Sequence, residues 1–171
     1  MVAEVTLMDR TKSIALLNQA VADELQAVLQ YMYFHFHLDD QGFSPLAALF
    51  KRIAIQEMGH LEALAERILF LKGDVEMNPA GPVEKITEPE AIVEKAKAME
   101  ADGVRMYNEA ALDCSANADA VSKQLFERLV GDEEMHYDQF DKQHDNIKRF
   151  GLSYLALQSF QAGGEAPGGE A

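Results

Sequence analysis

The tightest constraint in this sequence is a pattern that occurs twice, as Glu57-Met58-Gly59-His60 and Glu133-Glu134-Met135-His136. Each Glu-x-x-His lies inside a long run whose apolar residues recur at helical spacing. On a helix, residues three apart share a face, about one turn from each other. Ile53, Leu61, Leu64 and Ile68 fall on the face of the first pair, and Leu125, Leu129 and Phe140 on that of the second, so both pairs point into a core. A carboxylate beside an imidazole among apolar side chains is costly unless something cationic satisfies both.

The rest of the chain supplies two more long helices. The first is expected from about Asp9 to Leu38, its stripe running through Ile14, Leu17, Val21, Glu24, Leu25, Val28, Tyr31 and Met32. Asp39-Asp40-Gln41-Gly42 makes a turn, and Ser44-Pro45 reads as an N-cap followed by proline at the first helical position. The second helix then reaches about Lys72, where Gly73 ends it. So short a connection makes these two helices antiparallel neighbours.

Between Gly73 and Ile86 periodicity is lost and Pro79, Gly81 and Pro82 appear. Extended, such a stretch spans roughly 45 Å, against about 40 Å for a 26-residue helix, so it is long enough to cross the bundle end to end. Thr87-Glu88-Pro89-Glu90 reads as a capping box. The third helix runs to about Cys114 through Ile92, Ala96, Met99, Glu100, Gly103 and Tyr107, and the fourth to about Arg149. Ser153 to Phe160 forms a short amphipathic segment, and residues 162–171 (AGGEAPGGEA) read as a disordered tail. No strand pattern competes. The fold class is all-α: a four-helix bundle over about 9–149, with a long crossover between helices two and three and a short fifth C-terminal helix, in a single domain of 171 residues.

Composition narrows the partners. With Lys+Arg 15 against Asp+Glu 29 the formal charge is -14, which argues against nucleic acid and for tolerance of cations. Cys114 is the single cysteine, so neither an internal disulfide nor a Cys-x-x-Cys metal knuckle is available. No apolar run approaches the ~18–20 residues of a membrane span. Residues 1–10 lack the basic-then-apolar form of a signal peptide, so a cytoplasmic protein is expected.

Glu24 and Glu100 sit on the inner stripes of the first and third helices. One inward carboxylate is an ordinary packing accident. Here all four helices carry one, in the order Glu, Glu-x-x-His, Glu, Glu-x-x-His. Four carboxylates and two neutral imidazoles balance two divalent cations, and such oxygen and nitrogen donors suit iron or manganese.

That ligand set is the one found in ferritin-like di-iron carboxylate proteins. Over about residues 10–160 the chain resembles the ferritin superfamily, and within it the bacterioferritins. The resemblance implies a ferroxidase centre made by Glu24, Glu57, His60, Glu100, Glu133 and His136. Glu57 and Glu133 would bridge the irons, with Glu24 and His60 on one and Glu100 and His136 on the other. Tyr31, seven residues after Glu24, resembles the family's tyrosine beside that site, and Tyr107 stands likewise to Glu100. The implied function is iron storage: Fe(II) is oxidised by dioxygen or hydrogen peroxide and the ferric mineral is kept in a shell. The shell would be a 24-mer homo-oligomer built from dimers, and a ferredoxin would be the electron donor for iron release.

Met58 narrows the resemblance further. It lies one step, about 100°, round the helix from Glu57 and so leaves the core stripe. By itself it reads as gap-filling or as a dimer contact. Bacterioferritins place a methionine there, and two copies across a twofold interface ligate a haem; Gly59 beside it leaves room for a flat group. Arg52 and Gln56 depart from the family, standing where some members carry a histidine and an aspartate that bind iron on the inner shell surface. His35, His37 and His144 have no partners in the sequence and read as solvent or packing residues. Two other functions fit the same hexad or Met58. One is a rubrerythrin-like di-iron peroxidase that stores nothing, though a single cysteine rules out its rubredoxin module. The other is a non-catalytic haem-binding dimer.

Overall fold

A computed structural model describes residues 8–164. Five helices follow one another: α1 (Arg10–Asp40), α2 (Ser44–Phe70), α3 (Pro89–Ala116), α4 (Ala120–Phe150) and α5 (Ser153–Gly164). α1 packs along α2 and α3 along α4; α5 lies against α2 and α4. The all-α bundle and its short fifth helix are as expected, with α5 continuing past Phe160 through 162–164. The rest of the expected tail, 165–171, lies outside the described residues.

Three of the expected helix ends differ. Ser44 is inside α2, and Phe43 holds the cap position without a side-chain hydrogen bond; the Ser44 hydroxyl turns back to Asp39 at 3.4 Å instead. The Thr87 capping box does not form, because Pro89 starts α3 and leaves Glu88 at the cap with no side-chain bond. At the end of α2, Lys72 takes the left-handed backbone (φ 69) expected of glycine. Gly73 is needed for space: a Cβ there would meet Ile14 at 2.8 Å.

The crossover runs parallel to α1, in the same direction, and is held by side-chain amides at intervals. An extended segment without a strand partner has unpaired N–H and C=O groups, and an amide offers one donor and one acceptor for them. Asn18 accepts from the Glu76 N–H at 3.0 Å and donates to the Asp74 carbonyl at 2.9 Å. Gln26 does the same for Gly81 and Pro82 (3.1 and 3.0 Å), and Gln30 bonds twice to Glu84 (2.7 and 2.9 Å). Gln41 donates to the Thr87 carbonyl at 2.9 Å. From Asn18 to Gln41 is about 35 Å of helix, so the crossover traverses the bundle.

The core comes in two parts. One is aromatic, with Tyr31, Phe34, Phe50 and Phe140 in mutual edge and tilted contacts. The other contains Leu17, Val21, Leu64, Ile68, Phe126 and Leu129. In sequence along each helix, the inward Glu and His residues fall between the two, so apolar packing closes both ends of a polar layer.

Candidate metal centre

All four long helices contribute to that layer. Glu24, Glu57, His60, Glu100, Glu133 and His136 are between 0% and 7% exposed. Their donor atoms form two overlapping groups: Glu24, Glu57, His60 and Glu133 in one, Glu57, Glu100, Glu133 and His136 in the other. Within each group the atoms lie within 4.8 Å of one another. The six residues singled out in the sequence are thus brought together, and Glu57 and Glu133 are the two shared.

The distances show how the sharing works. Glu57 presents Oε2 to His60 Nδ1 at 2.8 Å and Oε1 to His136 Nδ1 at 3.0 Å, one oxygen to each half. Glu24 Oε1 and Glu133 Oε1 lie 3.2 and 3.3 Å from His60 Nδ1, and Glu100 Oε2 lies 3.5 Å from His136 Nδ1. The imidazoles lie nearly parallel, 5.8 Å apart. Although close, both Glu57 oxygens, Glu100 Oε2, Glu133 Oε1 and both Nδ1 atoms have no properly oriented hydrogen-bond partner. Buried polar atoms are rarely left so. These lone pairs converge on shared space between the residues, which is the arrangement a cation satisfies.

Electrostatics agree. Burial raises Glu24 and Glu100 well above the usual carboxylate range. Burial opposes the charge on Glu57 too, but contacts with His136 and His60 outweigh it and hold that carboxyl at about 2. Burial would lower both imidazoles, yet the carboxylates around them win. Glu100 and Glu57 push His136 up to about 10, and Glu133, Glu24 and Glu57 push His60 higher still. Without a cation, protons must supply the positive charge.

Around the hexad, further groups fix its orientation. Tyr31 donates its hydroxyl to Glu100, and Tyr107 to Glu24 at 2.7 Å. Each tyrosine reaches the carboxylate of the other helix, where the sequence placed it beside that of its own. Burial, then the carboxylate charges, keep both phenols protonated and so able to donate. Asp132 Oδ2 lies 3.2 Å from His60 Nε2, which holds the ring with Nδ1 facing the carboxylates. Asp132 escaped the sequence reading because it opens an acidic Asp-Glu-Glu run that looks like a solvated face. A cleft of about 380 Å³ between α1, α3 and the crossover reaches Glu24, Glu100 and Glu133 from the surface.

Other residues from the sequence lie elsewhere. Met58 is 48% exposed on α2, near Ile55, which is 53% exposed, and a Cβ on Gly59 would meet nothing within 4 Å. Arg52 bonds Gln139 at 3.0 Å, and Gln56 is exposed. His35 Nδ1 lies 2.9 Å from the Ala47 carbonyl, and the His37 ring packs tilted against Tyr33 at 4.4 Å. Cys114 is buried, and burial pushes its thiol up to about 11. Among the described residues no helix is long and apolar enough to cross a membrane.

A ferritin-like domain model matches residues 14–150. The bacterioferritin of Desulfovibrio desulfuricans is 37% identical over 147 residues, covering 86% of this chain and 82% of that one. The chain belongs to the bacterioferritin family. The bacterioferritin of Rhodobacter capsulatus is also 37% identical, over 85% of this chain and 91% of its own. The bacterioferritin fold is matched along nearly the whole length. The Desulfovibrio desulfuricans structure superposes with TM-score 0.86 at 35% identity, covering 95% of this chain and 96% of that one; it is described as showing the diiron site in different catalytic states. The Rhodobacter capsulatus structure superposes with TM-score 0.84 at 33% identity, covering 96% and 100%; it is described as having a metal-free dinuclear site and haem iron in a crystallographic special position.

Proposed function

We propose that this chain is an iron-storage ferroxidase: it binds ferrous ion as substrate at the buried hexad, passes the electrons to dioxygen or hydrogen peroxide, and keeps the ferric product inside a homo-oligomeric shell. The observation that carries the reading is the set of converging, unpartnered carboxylate and imidazole atoms at the centre of the bundle. Their chemistry fits two divalent iron ions: four carboxylates balance the charge, and the donors are oxygen and nitrogen throughout. The pair of irons supplies two one-electron donors to a shared oxidant.

The residues divide the work. Glu57 and Glu133, common to both donor groups, would be shared by the two ions. Glu24 with His60 and Glu100 with His136 would hold the separate ions. Asp132 holds His60 with Nδ1 inward, and the two tyrosine hydroxyls keep Glu24 and Glu100 turned to their positions. The apolar layers on either side close the two ends of the site and bury its charges, so charge interactions within it are strong. The cleft beside the crossover connects the hexad with solvent.

Haem is the second cofactor in this reading. Met58 offers an exposed, soft thioether on a face with other apolar side chains, and the open space at Gly59 lets a planar group approach. Two copies of the chain would each give one Met58 to the haem iron. The shell is a 24-mer of such dimers, working in the cytoplasm with a ferredoxin as electron donor for iron release. A storage-free peroxidase is not favoured, since the relatives that match over more than four fifths of the chain are bacterioferritins.

Assembly mass, iron content and stopped-flow oxidation of the purified protein test the reading together. Storage requires a large closed assembly and a fast oxidation phase that saturates at two ferrous ions per chain. A monomer or an isolated dimer that turns over peroxide and retains no mineral contradicts it.

A further inference from the structure

One glycine at the site is out of place by helix chemistry. Gly103 lies in the middle of α3, three residues and so about one turn after Glu100. Its backbone is not in the left-handed region, so conformational freedom gives no reason for it, and glycine weakens a helix interior relative to alanine. The reason lies across the site. A Cβ on Gly103 would stand 3.0 Å from Glu133 Oε2 and 3.4 Å from its Cγ and Cδ. By contrast, Gly131 within α4 has nothing within 4 Å of the equivalent position.

To admit that Cβ the Glu133 carboxylate must shift by a few tenths of an ångström. Its other oxygen, Oε1, already lies 3.3 Å from His60 Nδ1. A group pressing on Oε2 from α3 moves the carboxylate away from the helix that carries Glu100, towards the half that contains His60. We propose that the bare Cα of Gly103 is a seat for the Glu133 carboxylate, and that this seat is what lets Glu133 serve both metal positions instead of one. Gly103 is therefore a positioning residue, acting through Glu133. The proposal rests on the di-iron reading above.

Equilibrium titration of the metal-free assembled protein with Co(II), without oxygen and followed by visible absorption, reads the two positions separately. It is also insensitive to the fact that Gly103 lines the cleft, because narrower access slows binding without changing its equilibrium. Wild type binds two equivalents. In Gly103→Ala the first equivalent, at Glu24, Glu57 and His60, stays tight, while the second weakens by about tenfold or more, the usual effect of disturbing a ligand's support. Gly131→Ala, an α4 control with free space, keeps both. If Gly103→Ala binds two Co(II) as tightly as wild type and merely melts at a higher temperature, Gly103 is an ordinary helix position and the proposal is wrong. If wild type itself does not bind two, the di-iron reading fails and takes this one with it.

Discussion

The Tyr107 hydroxyl on α3 lies 2.7 Å from Glu24 Oε1 on α1, and the Tyr31 hydroxyl on α1 answers it by donating to Glu100 on α3. Two side-chain hydrogen bonds thus cross between the helices that flank the cleft, each ending on a carboxylate of the hexad. The exchange makes the site nearly symmetric, with one phenol donating to each of Glu100 and Glu24.

Replacing Tyr107 by Phe removes one donor and keeps the ring. Glu24 is already pushed up by burial, and losing a donor makes its ionised form still less favourable. A buried acceptor left unsatisfied costs about 1–3 kcal/mol. Metal affinity at the half-site with His60 should fall by about tenfold, with the Glu100 half little changed. Co(II) titration of Tyr107→Phe checks this; unchanged affinity at both positions would make Tyr107 a packing residue.

Metal uptake should release protons. Near neutral pH the metal-free site holds protons on His136, which is raised to about 10, and on His60, which is raised further, while burial shifts Glu24 and Glu100 upward in the same direction. A cation bound at those atoms must displace them. Apparent affinity therefore rises with pH through the neutral range, and a pH indicator in weakly buffered solution should report acidification on adding metal. Affinity independent of pH, with no proton release, would mean that the metal binds elsewhere.

Much of this site was legible in the sequence because core helices rarely carry inward carboxylates, and here four do so in register with two imidazoles. The crossover was legible from its length and loss of period. What held it was not: Asn18, Gln26 and Gln30 look like ordinary surface amides until the extended backbone is seen beside them. Tyr31 and Tyr107 could be placed on the right faces, but helical spacing says nothing of which neighbouring helix a long side chain reaches. The expected caps at Ser44 and Thr87 failed because Ser44 itself opens α2 and Pro89 starts α3, which leaves Phe43 and Glu88 at the cap positions. Gly73 was given the role that Lys72 has, since the contact with Ile14 is a tertiary one.

Met58→Leu separates the haem from the di-iron chemistry. Leucine keeps apolar volume and lacks the thioether. The Soret band of the assembled protein should disappear while the fast phase of ferrous oxidation stays near wild type, because Met58 leaves the core face and the hexad is untouched. Release of stored iron by a reductant should slow. A retained bis-thioether spectrum would place the ligand on another residue.

As proposed above, the six buried residues hold two iron ions with Glu57 and Glu133 between them. Crystals soaked in ferrous salt without oxygen, with diffraction recorded on either side of the iron edge, test it most directly. Two anomalous peaks per chain are expected inside the bundle, one contacted by Glu24 and His60, the other by Glu100 and His136, and both by Glu57 and Glu133. A single peak, or iron found only on the surface with the hexad empty, would contradict it.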